Sequence, residues 1–156
     1  MAKNFNKPIV TLRPFSVYGP YEEPSRFVPT LLKNLYLKEK ISLTSPDTVR
    51  DFIYIEDMIK AYLKIDELTK NPGKCFNIGT GIQSSLKQVV EQAFKTTSRK
   101  VDLDWGKEKP RSWDTTHWVA DISRAKKLLK WKPEHSLSQG LYKNWQWFKK
   151  NRDLYI

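Results

Sequence analysis

Short apolar runs alternate with segments of helical period along the 156 residues of this chain. "KPIVTLRPF" is an apolar, β-branched run closed by a proline, which predicts a buried strand. Beyond the loop "SVYGP", Ser25 stands where a helix cap is wanted. Phe27, Val28, Leu31, Leu32 and Leu35 follow at helical spacing. "KISL" and "TVRDFIY" read as short strands separated by the turn "TSPDT". From Ile55 the period lengthens, and Ile55, Met58, Ile59, Tyr62 and Leu63 predict the buried face of an amphipathic helix that Asn71-Pro72-Gly73 ends.

"KCFNIG" predicts a second buried strand, which Gly79 and Gly81 turn into a helix. Ser85 and Gln88 have the spacing of a capping box there, and Leu86, Val89, Val90, Ala93 and Phe94 form the inward stripe. "KVDLDW" alternates like a half-exposed strand, and the polar stretch "GKEKPRSWDTTHW" follows. Asp121 is expected to cap a helix carrying Ile122, Ala125, Leu128 and Leu129, broken at Trp131-Lys132-Pro133. A last helix aligns Leu137, Leu141, Trp145 and Phe148. Two buried strands, each followed by a loop and a helix, indicate α/β architecture with a smaller mixed lobe.

Composition narrows the picture. Hydrophobic residues make up 39% and aromatics 13%, the balance of a globular chain. No apolar run approaches the ~20 residues of a membrane helix, no signal-peptide core opens the chain, and a cytoplasmic location is expected. One cysteine, Cys75, excludes an internal disulfide and a cysteine zinc cluster. The 28 Lys and Arg exceed the 17 Asp and Glu to give +11, which favours an anionic partner, although many of the lysines fall on helix exteriors where charge is solvated. His117 and His135 stand in unrelated segments with no nucleophile or metal-ligand spacing.

Four segments in order, "LRPFSVYGP", "VRDFIYIEDMIKAYL", "CFNIGTG" and "RSWDTTHWVADISRAKKLLKWKP", resemble the C-terminal half of the nucleoside-diphosphate-sugar epimerases and dehydratases. These belong to the extended short-chain dehydrogenase/reductase superfamily. The resemblance implies the C-terminal part of a Rossmann-like parallel sheet plus a small mixed α/β substrate-binding lobe. Residues 1–20 and 74–97 would supply sheet elements, and residues 21–73 and 98–156 the lobe. It also implies that a glycine-rich dinucleotide turn, a catalytic Ser/Thr and a Tyr-x-x-x-Lys helix precede this stretch, so the chain is expected to be half an enzyme.

Tyr36 and Lys40 have Tyr-x-x-x-Lys spacing, but they follow the "LRPF" strand rather than precede it, and the match is read as chance. Gly79-Thr80-Gly81 lacks the third glycine and the acidic residue of a dinucleotide fingerprint. No catalytic residue and no metal ligand is therefore assigned.

The resemblance also implies a binding site. Arg50, in the segment matching "RDF", would contact the diphosphate with its planar fork, and an ion pair with Asp51 or Asp57 is the structural alternative. Arg111 would reach the nucleotide phosphates or ribose and Asp114 a ribose hydroxyl, against the alternative of a solvated loop pair. Trp113 stands where the family often has glycine. Ser16 would bond the sugar. Pro14, Phe15 and Tyr18 would border the nicotinamide end of the cofactor, with core packing the alternative for Tyr18. The family's cofactor is NAD or NADP, which this chain alone is not expected to bind. Its implied partners are a nucleoside-diphosphate sugar and either a second copy or a complementary N-terminal half. A basic module for nucleic acid or an acidic partner is the rival reading of the +11 charge.

Overall fold

The computed structural model describes residue 7, residues 9–107 and residues 115–156. Its first strands, β1 (Thr11–Pro14) and β2 (Ser16–Tyr18), are one extended run that changes partner at Phe15. The Phe15 N–H donates to Ile78 and the Ser16 N–H to Asp51. Then come α1 (Phe27–Leu37), β3 (Ile41–Leu43), β4 (Val49–Arg50), β5 (Phe52–Tyr54), α2 (Ile55–Tyr62) and the short α3 (Ile65–Thr69). The second half runs β6 (Cys75–Ile78), β7 (Ser84–Ser85), α4 (Leu86–Thr97), β8 (Leu103–Trp105), α5 (Ser123–Leu129) and α6 (Leu137–Lys150). Three strand pairs are parallel: β1 with β6, β2 with β5, and β3 with β8. The fourth, β4 with β7, is antiparallel and sets Arg50 opposite Ser84.

The β5 strand divides the core. All three of its residues are buried, and because successive side chains leave opposite faces of a strand, Phe52 and Tyr54 enter one cluster and Ile53 the other. The first cluster packs α1, α4 and α6 around Tyr18. The second packs α2 and α5 against Phe76 and Ile78 of β6. The mixed α/β order with parallel pairs matches the expected class, and the "PIVTLRPF" and "KCFNIG" strands are direct parallel neighbours.

Several sequence expectations change. Strand β1 is largely exposed rather than buried, and β6 is its only strand partner among the described residues. Ser25 does not cap α1: the Glu23 carboxylate takes both its N–H and its hydroxyl, and Arg26 occupies the cap position without a side-chain bond. On α2 the buried residues are Asp57, Met58 and Ala61, while Ile59, Tyr62 and the following Leu63 are exposed. The helix is turned by Asp57, whose carboxylate accepts the His135 backbone N–H at 3.0 Å and lies 2.9 Å from the His135 ring. His135 is thus a packing residue. The Ser85–Gln88 capping box forms as expected. Asp121 accepts the Ser123 N–H at 2.9 Å, although Ile122 is the residue flanking α5.

Candidate functional site

A cavity of roughly 470 Å³ opens between β2, the start of α1, β3 and the β4–β5 run. Ser16 and Tyr18 come to it from β2 and Arg50 from β4, so three of the expected residues converge on one wall system. Phe15 is not among the lining residues; its ring meets Trp118, the neighbour of Arg50, edge-on at 6.3 Å. Pro14 ends β1 opposite Ile78 and is not among the lining residues. Arg111 and Asp114, with Trp113, lie outside the described residues.

Arg50 is fixed rather than loosely solvated. Its guanidinium donates to the Val49 carbonyl at 2.7 Å and lies 5.1 Å from the centre of the Trp118 ring. The carboxylates named as its alternative partners are engaged elsewhere: Asp57 with His135, and Asp51 with the Gly79–Gly81 turn. Tyr18 is buried, donates to the Leu137 carbonyl at 3.4 Å and packs on Phe52 and Tyr54. Burial raises its hydroxyl above the ordinary tyrosine range. It is both core and cavity wall.

The structure adds residues that sequence reasoning missed. Arg26 brings a second guanidinium to the cavity, and Phe27 and Leu43 add apolar wall. Glu22 also lines it, 4.0 Å from the Arg26 Nε, with only 15% of its side chain exposed. Its buried Oε2 has no hydrogen-bond partner among the described residues, and burial pushes the carboxyl up to about 7 against the opposing pull of Arg26. The visible sign for Arg26 is a guanidinium six residues beyond Pro20, at the start of the helical pattern. Nothing local marks Asp51 or Trp118, whose contacts cross 29 to 69 residues of chain.

The arrangement suits an anionic, hydroxyl-rich ligand. Two guanidiniums can engage phosphate oxygens, while Ser16, Thr44 and Thr48 offer hydroxyls and Phe27 an apolar face. The turn after β6 is not a free phosphate cradle of the kind in which unspent N–H groups at a glycine turn opening a helix hold a diphosphate. The Thr80 and Gly81 N–H groups of the turn after β6 already donate to Asp51, at 2.7 and 2.9 Å. The N–H groups of Ser85 and Gln88 at the start of α4 are closed by the capping box.

The two residues with Tyr-x-x-x-Lys spacing are likewise committed elsewhere. The Tyr36 hydroxyl accepts from Arg152 and its ring packs on Trp145 and Phe148, while Lys40 pairs with Asp104 at 3.0 Å. Among the described residues no helix is long and apolar enough to cross a membrane, and no group of three or more His, Cys, Asp or Glu is placed to hold a metal.

Comparison with known proteins gives the same direction. The UDP-glucuronate 4-epimerase of Thermodesulfobacterium geofontis is 32% identical over 148 residues, covering 94% of this chain and 45% of that protein. The dTDP-D-glucose 4,6-dehydratase of Mus musculus is 27% identical and covers 96% and 43%. The solved UDP-glucuronic acid 4-epimerase of Bacillus cereus, in complex with UDP-glucuronic acid and NAD, superposes with a TM-score of 0.85 at 33% identity, over 96% of this chain and 48% of that one. The UDP-glucose 4-epimerase of Thermotoga maritima, with UDP-glucose, gives 0.87 at 27% identity, over 97% and 49%. The chain thus spans about half the length of the relatives it matches. The sequence profile of the NAD dependent epimerase/dehydratase family matches residues 1–79, half of the chain, and the chain belongs to that family.

Proposed function

We propose that this chain is the nucleotide-sugar-binding portion of an NAD-dependent epimerase or dehydratase. The ligand is a nucleoside-diphosphate sugar held in the cavity between β2, α1, β3 and β4. The observation that carries this reading is the convergence of Arg50 and Arg26 with hydroxyl and apolar walls in one cavity. Arg50 would take the diphosphate as a bidentate donor, and its stacking on Trp118 pre-orients the planar group at little entropic cost. Ser16 would bond the sugar, Phe27 would cover an apolar ring face, and Arg111 and Asp114 would join them. Pro14 and Phe15 would border the cofactor's reactive end in the complete fold. That the Bacillus cereus and Thermotoga maritima relatives hold UDP-sugars supports the ligand class.

The role of the described residues is to bind and orient. Hydride and proton transfer would rest on groups they do not supply, so the chain by itself is expected to turn nothing over. Titration calorimetry tests the proposal with UDP-glucose, UDP and NAD as ligands. UDP-glucose and UDP are expected to bind and NAD to show no micromolar affinity. Arg50→Ala should weaken UDP by 10-fold or more, in line with roughly 1.5–3 kcal/mol for a hydrogen bond to a charged group. Absence of UDP-sugar binding would overturn the reading. Tight binding of nucleic acid with a steep loss in salt would favour the rival basic module.

A further inference from the structure

We infer that Asp51 is a positioning residue for this site, joining the Gly79–Gly81 turn to the 118–120 segment and thereby holding Trp118 against the Arg50 guanidinium. The inference rests on the proposed ligand reading only for its consequence, not for its geometry. Asp51 is fully buried, yet its carboxylate has four donors. Oδ1 accepts from the Thr80 N–H at 2.7 Å and the Thr80 hydroxyl at 2.5 Å. Oδ2 accepts from the Gly81 N–H at 2.9 Å and the Ala120 N–H at 3.0 Å. Two chain segments, 29 and 69 residues from Asp51, therefore meet on its side chain.

The geometry needs a carboxylate. Four donors require a group that only accepts, with about four lone-pair sites, whereas an amide would turn an N–H₂ toward other N–H groups. It also needs Gly79, since a Cβ there would stand 2.6 Å from the Ala120 Cβ and 2.8 Å from the Asp51 Oδ2.

The two segments Asp51 joins are the ones that hold Trp118. Ala120 is two residues beyond it, and the Trp118 N–H donates at 3.1 Å to Gln83, which follows the turn. On the other side of Asp51 is Arg50, pinned by the β4–β7 pairing opposite Ser84. Asp51 thus holds the Trp118 side of the Arg50–Trp118 contact, and the β4–β7 pairing holds the Arg50 side. A purely structural anchor would support the fold without favouring the diphosphate end of a ligand, and that difference can be measured.

The test uses Asp51→Asn, Arg50→Ala and their combination. Without ligand, acrylamide quenching of Trp118 is taken as the difference from a Trp118→Phe protein. Asp51→Asn is expected to raise it at least twofold. With ligand, UDP affinity should fall 10-fold or more while uridine affinity stays unchanged, and in the Arg50→Ala background Asp51→Asn should cost UDP no more than twofold. A folded Asp51→Asn protein with unaltered Trp118 quenching, or an equal loss for UDP and uridine, overturns the inference. Should Asp51→Asn not fold, Thr80→Val removes one donor and keeps the shape. It should give about a threefold loss for UDP alone with higher quenching, and no change in either overturns the inference. A wild-type chain that binds no UDP refutes the proposed function, and the quenching result still decides the role of Asp51.

Discussion

Glu22 shows how far tertiary packing sets the environment of a single residue. It follows the Tyr-Gly-Pro corner in a polar stretch, and its burial comes only from the cavity wall that forms around it. A folded-state carboxyl near 7, against an ordinary value of 4.5, binds a proton over a range in which the unfolded chain has lost it. Its contribution is therefore favourable below about pH 4.5, declines as pH rises toward 7, and is a constant penalty above that. Glu22→Gln keeps the shape without the charge. It should flatten the stability–pH curve between pH 4.5 and 7 and stabilise the fold at pH 8 by about 2 kcal/mol. Urea unfolding of both proteins across that range checks this, and parallel curves would contradict it. Arg50, by contrast, was legible from its "VRDF" setting, because a guanidinium beside a buried strand has few places to go.

At the scale of elements, period and cap chemistry located most helices, and tertiary contacts decided how they are rotated. The α6 stripe of Leu141, Trp145 and Phe148 is buried as its spacing requires, and Gly140 joins it for a reason the spacing does not show. A Cβ at Gly140 would overlap the Tyr18 hydroxyl and press on Tyr54. Helix propensity alone would favour alanine at this position by ~1 kcal/mol. The overlap outweighs that gain, and Gly140→Ala is expected to destabilise by about 1–3 kcal/mol, the usual cost of overpacking. Adding Tyr18→Phe removes the obstructing oxygen and should recover most of the loss. Thermal unfolding of the single and double variants measures this, and no recovery would mean that the helix shifts instead. The α2 helix makes the opposite point, since a buried Asp57 bonded to His135 outweighs three apolar side chains in setting its inward face.

Among the described residues, β1 has one strand partner and the α2 helix shows an exposed apolar face. Among the described residues the other edge of β1 has no strand partner, and such an edge readily templates another strand. Ile59, Tyr62 and Leu63, at helical spacing on and after α2, expose apolar area that would contribute about 25 cal/mol per Å² if buried. The +11 charge opposes association, but its repulsion is screened beyond ~8 Å at physiological salt. The isolated chain is therefore expected to self-associate, or to bind a complementary chain that pairs with β1. Sedimentation equilibrium should show masses above 18.4 kDa, and Tyr62→Lys with Leu63→Lys should return the chain to monomer. A clean monomer of the unaltered chain at high concentration would contradict this.

By itself the sequence determined what depends on near neighbours. Apolar period placed α1, α4 and α6, the Ser85–Gln88 spacing placed a capping box, and short apolar runs marked the strands β1 and β6. These outcomes depend on backbone preferences and hydrogen bonds that span only a few residues. The "VRDF" and "LRPFSVYGP" segments carried enough of the family pattern to locate Arg50, Ser16 and Tyr18. Only the tertiary structure decided which of these share a cavity, that Arg26 and Glu22 join them, and that Asp51 binds turns 29 and 69 residues away. The physical reason is that a buried carboxylate must find donors wherever packing leaves them. Its partners follow from the three-dimensional arrangement of the whole core, which no local window of sequence contains.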